Sequence, residues 1–255
     1  MMSVYPYSAL TPIKVSRWAK TAGLEFLQVL PHRGIDGYEK FALPALYVED
    51  AWNPVWNLPQ ALRGEEGDKG MPSDWHDWAG FPNPKKCDQV YERLIAINHA
   101  RPIAHNFKDA ARGRLVELCP EIDKAPEEID LICGRDGYQL VLDTEHIVRN
   151  WRGYDDPESP NYKRPNLLMP HANHLDETIR LLAPHVQVVH VKNIWRPLEQ
   201  GMIRTLLAAD HAPAIDFVME YPPVIRKARF EIEEFASTLR YEISRYLNEQ
   251  SGGTL

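Results

Sequence analysis

Short apolar runs of four to eight residues alternate along this chain with longer stretches that repeat their apolar positions at helical spacing. Eight runs predict strands: residues 3–9, LEFLQVL at 24–30, ALYVED at 45–50, RPIAHN at 101–106, RLVEL at 114–118, YQLVLD at 138–143, VQVVHV at 186–191 and IDFVME at 215–220. TPIKVSRWAKTAG predicts a helix with a threonine cap, proline at its first position and glycine at its end. NPKKCDQVYERLIAINH and APEEIDLICGRDG read similarly, HLDETIRLLAPH precedes the seventh strand, and a long amphipathic helix closes the chain from residue 225 to 249. Eight strands with intervening helices in 255 residues fit an α/β fold of the (β/α)₈ barrel type, formed as a single domain over residues 1–255. Two connections depart from regularity. FKDAARG, between the fourth and fifth strands, is too short for a full crossover helix, so either one crossover is abbreviated there or one of the two runs is not a strand. Residues 51–83 form a long, tryptophan-rich loop after the third strand, on the side of a barrel where loops make lids or subunit contacts.

In such a barrel the C-terminal ends of all strands open into one mouth, so polar groups there can surround one ligand although they are remote in sequence. Four runs end in such a group: Glu117, Asp143, His190 and Glu220, each preceded by apolar residues. Three carboxylates gathered together repel one another unless a cation compensates them. With one imidazole, the set suits a divalent ion, with Mn, Mg or Co favoured and Zn also able to bind.

WAKTAGLEFLQVL, RLVELCP, YQLVLDTEH, VQVVHVKN and DFVMEYP, in that order across residues 13–240, resemble the xylose isomerase-like TIM-barrel superfamily of sugar and sugar phosphate isomerases and epimerases, which also includes endonuclease IV-type proteins. The resemblance implies that Glu117, Asp143, His190 and Glu220 are the metal ligands, and that His146, three residues after Asp143, faces substrate. It also implies that Glu117 and Glu220 act from opposite faces of a sugar as a proton-transfer pair, working through an enediolate. Further candidates for substrate contact are His105, His32, Lys192 and Trp195. Endonuclease-type relatives carry an acidic residue shortly after the seventh-strand histidine, where this chain has HVKNIW with Asn193.

Composition narrows the classes. A net charge of -7 disfavours a phosphate-backbone partner, and three widely spaced cysteines suggest neither a disulfide framework nor a zinc–thiolate site. There is no glycine-rich nucleotide loop and no serine nucleophile elbow. MMSVYPYSALTPIK lacks a basic n-region and an apolar h-region, and no run approaches the ~20 apolar residues of a membrane span. The expectation is a cytoplasmic, divalent-metal-dependent isomerase or epimerase acting on a small sugar or sugar phosphate. It has no nucleic-acid or membrane partner, and it is a candidate homo-oligomer by analogy. The same barrel and metal could also serve a lyase or hydrolase acting on a polyol-derived substrate, or a sugar-binding relative without turnover.

Overall fold

In a computed structural model of the chain, the residues described are 2–4, 12–29, 40–49, 92, 95, 96, 99–104, 107, 115–118, 125–144, 175–191, 197–209, 214–219 and 228–250. Eight parallel strands close into a barrel: β1 (Met2–Val4), β2 (Phe26–Val29), β3 (Ala45–Glu49), β4 (Arg101–Ala104), β5 (Leu115–Glu117), β6 (Gln139–Asp143), β7 (Val186–Val191) and β8 (Asp216–Met219). Each strand pairs with the next, and β1 pairs with β8 to complete the ring. All eight fall within or against the runs that the apolar pattern marks. The short connection before β5 does not remove it from the sheet, because Leu115 pairs with both Ile103 and Gln139. Residues 108–113 of the short crossover and the tryptophan-rich loop at residues 51–83 lie outside the described residues.

Helix α1 (Pro12–Thr21) starts on a proline that needs no amide partner there and buries Val15 and Ala19. It ends where Gly23 adopts a left-handed φ of 74° and the Leu24 and Gly23 amides donate back to the carbonyls of Ala19 and Lys20, a Schellman turn. Helix α2 (Pro126–Asp136) also begins with proline. It ends at Gly137, whose φ of 70° lets its amide reach the Cys133 carbonyl at 2.8 Å. Helix α3 (Leu175–Leu182) runs through a 3₁₀ turn (Ala183–His185) straight into β7. Between β7 and β8 stands α4 (Pro197–Leu207), a helix that the sequence reading does not include, and α5 (Ala228–Gln250) follows β8.

Two apolar layers result from strand alternation, as expected for strands covered on both faces. Outward-facing residues such as Leu27, Val48, Val116, Leu140, Val189 and Phe217 pack against the helices, meeting Ile129, Ile179, Ile203 and Phe235 among others. Inside the barrel, Phe26, Tyr47, Ile103, Leu115, Val141, Val188 and Val218 form one buried ring, a single side chain from each of β2 to β8. This ring fixes the level of everything above it. A residue two positions further along any of these strands faces the same interior, one step nearer the C-terminal mouth.

Candidate metal centre

Two positions beyond Leu115, Val141 and Val188 stand Glu117, Asp143 and His190. They come from three adjacent strands, and Asp143 and His190 are direct partners in the β6–β7 register. Each offers a ligand atom within 4.8 Å of the others, and all three residues are buried. Three of the four predicted ligands therefore meet. Glu220, the fourth, lies outside the described residues, as do His146, His105, His32, Lys192 and Trp195.

The donor chemistry fits a divalent ion. Two carboxyl groups and an imidazole taken out of water lose their hydration, and a shared cation is the efficient way to offset that loss. The 3.8 Å between His190 Nδ1 and Glu117 Oε1 exceeds hydrogen-bond range. It matches two donors on one ion instead, since bonds of about 2.0–2.2 Å set neighbouring ligand atoms about 3–4 Å apart. Carboxylate oxygen with one imidazole suits Mg or Mn, and the nitrogen also admits Co or Zn. The Glu117, Asp143 and His190 group could hold such an ion.

Three further residues surround this group that sequence reasoning did not select. Gln28, two positions beyond Phe26 on β2, places its Oε1 2.9 Å from His190 Nε2 in a buried contact. Thr144, which follows Asp143, donates its hydroxyl to Glu199 Oε2 at 2.8 Å, and both residues are fully buried. Glu199 belongs to the first turn of α4, so this bond ties the end of β6 to the helix after β7. For Gln28 a signal exists in the sequence: an amide inside the apolar run LEFLQVL, at the same interior spacing as the ligands. Thr144 and Glu199 carry no comparable signal, because their meeting depends on a helix that the pattern leaves unread.

Burial, with Asp130 and Asp136 nearby, pushes the Cys133 thiol up to about 12, so it stays protonated and inert at neutral pH. At the opposite end of the barrel, the Tyr47 hydroxyl donates to Asp216 Oδ2 at 2.6 Å. There Arg101 also bonds to Gln139, while Gln187 donates to the Ala214 carbonyl.

With this geometry in view, the chain is similar in fold to endonuclease IV from Thermus thermophilus, at 15% identity over 94% of this chain and 99% of that one, with a TM-score of 0.41. It is also similar to a xylose isomerase domain protein from Planctomyces limnophilus, at 13% identity over 98% of each chain and a TM-score of 0.41. No protein-family model matches the chain, and no curated protein matches it. The fold is a closed TIM-type barrel of eight parallel strands, and among the described residues no helix is long and apolar enough to cross a membrane.

Proposed function

We propose that this protein is a divalent-metal-dependent isomerase or epimerase of a small sugar or sugar phosphate. The observation that carries the reading is the convergence of Glu117, Asp143 and His190 in a buried group on the mouth side of the apolar ring. Glu220, at the end of the eighth apolar run, is assigned as the fourth ligand. When bound, the ion supplies a Lewis acid that polarises a substrate carbonyl and stabilises the enediolate formed next to it.

The protein's own groups divide the remaining work. Asp143 and His190 hold position deep in the mouth. Glu117 and Glu220 are assigned to opposite faces of the sugar, one to take the proton from the carbon next to the carbonyl and the other to return one. His146, with His105, His32, Lys192 and Trp195, is assigned to the substrate's hydroxyl groups, its phosphate if present, and its apolar faces. The substrate is a free small molecule in the cytoplasm, and nucleic acid is not a partner.

The test is exchange of the substrate's α-proton with deuterated solvent across a panel of aldoses, ketoses and their phosphates. Glu117→Gln and Glu220→Gln should each keep the circular dichroism of the fold and lower exchange by at least about 10²-fold, the lower end for a positioned acid or base. Wild-type exchange in both variants removes the pair from the mechanism. Loss of water from a polyol-derived substrate without exchange would replace the isomerase by a lyase.

A further inference from the structure

Histidine can bind a metal through either ring nitrogen, but only through one that carries a lone pair, so the proton must sit on the other. In this barrel the two nitrogens of His190 face different neighbours. Nδ1 lies on the side of Glu117, 3.8 Å from its Oε1, whereas Nε2 lies 2.9 Å from Gln28 Oε1. A carbonyl oxygen can only accept, so Nε2 must be the donor in this contact. Gln28 comes from β2, outside the arc of β5, β6 and β7 that supplies the three donors, and it is itself fully buried. Water therefore does not compete for the contact, and ring orientation and proton position are set together.

We propose that Gln28 is a positioning residue for the metal centre: its side-chain carbonyl holds the Nε2–H of His190 and so presents the Nδ1 lone pair toward Glu117, with the ring in its ligating tautomer before any ion arrives. This rests on the metal-centre part of the function proposed above and is independent of which sugar is turned over. Outer-shell partners of ligating histidines commonly contribute a factor of about 10–100 in metal affinity, and that range sets the size of the expected effect.

The experiment uses the full chain and Mn²⁺ as the probe, with free Mn²⁺ read by electron paramagnetic resonance. Long-range ¹H–¹⁵N correlation spectra of ¹⁵N-histidine-labelled, metal-free protein report the proton position on His190, assigned by comparison with His190→Gln. Three results are expected: the wild-type ring carries its proton on Nε2, Gln28→Leu binds Mn²⁺ about 10–100-fold more weakly, and Gln28→Glu, which keeps an acceptor oxygen in place, returns affinity to within about threefold of wild type or better. A wild-type ring protonated on Nδ1 overturns the proposal whether or not Gln28→Leu folds. So does Gln28→Leu affinity within about twofold of wild type, or failure of Gln28→Glu to restore binding. Asp143→Asn separates the two levels. If it abolishes Mn²⁺ binding while Gln28→Leu does not weaken it, only the role of Gln28 fails. If wild type and Asp143→Asn both fail to bind Mn²⁺, the metal centre fails and its positioning residue with it.

Discussion

Tyr47 belongs to the apolar ring by its aromatic body, which packs edge-on against Phe26, yet its hydroxyl reaches the Asp216 carboxyl near the barrel's N-terminal end. Burial first, and then the bond to Asp216, push the phenol above its ordinary value of 10.0. A proton held more tightly in the folded chain than in the unfolded one contributes stability that is complete below about pH 10 and drains away as pH rises toward the folded value. Tyr47→Phe should therefore lower stability at neutral pH by about 1–3 kcal/mol in urea titrations, the range for a buried hydrogen bond. It should also flatten the loss that wild type shows above pH 10, and equal slopes in the two proteins would contradict the assignment. At this same scale the candidate ligands are the legible part of the site. Glu117, Asp143 and His190 stand out together, because one polar group at the end of an apolar run has ordinary structural explanations but the same ending repeated on several runs does not. Gln28 does not, because a neutral amide within a run reads as a tolerated exception until its partner, 162 positions away, is seen.

The turn after α1 shows how one element depends on another. Gly23 needs its left-handed φ, and a Cβ there would come within 2.6 Å of Arg240 Nη2. Arg240 of α5 donates to the Ala22 and Gly23 carbonyls at 2.6 and 3.0 Å, which ties the closing helix to the first one. Gly23→Ala should thus cost about 1–3 kcal/mol, through the strained backbone and the displaced guanidinium together. Arg240→Ala alone should cost about 1 kcal/mol, the net value of a typical hydrogen bond, and urea midpoints would check both. If Gly23→Ala matched wild type, the turn geometry would be wrong. Elements with clean signals, such as α1 with proline before it and glycine after it, are readable from sequence. Helix α4 is not, for a physical reason. Its described buried residues are Glu199, Met202, Ile203, Thr205 and Leu206, so a carboxylate and a hydroxyl stand among the inward positions and break the apolar period. Gly201 then lowers helix propensity in the same turn. A residue that hides α4 from the pattern, Glu199, is the one that receives Thr144 beside the candidate metal group.

At the level of the molecule, strands β2 to β8 are legible because a parallel barrel buries both faces of a strand, so that these runs are largely apolar. What the pattern cannot give is convergence, which needs β1 paired to β8 and the ring closed. An ion bound only by the closed ring must stabilise it. At 100 times the dissociation constant the gain is about 2.7 kcal/mol. Mn²⁺ at that level should raise the thermal midpoint of the wild type by about 5–10 °C, at about 2–4 °C for each kcal/mol in a chain of this size. Asp143→Asn should show no such rise, and equal shifts in both proteins would place the ion elsewhere.

The seven side chains from Phe26 to Val218 that fill the barrel's waist have one more consequence. Among the described residues they plug the axis between the two ends of the barrel. On the function proposed above, substrate and product would therefore share the C-terminal mouth as a single doorway, and each would exclude the other while bound.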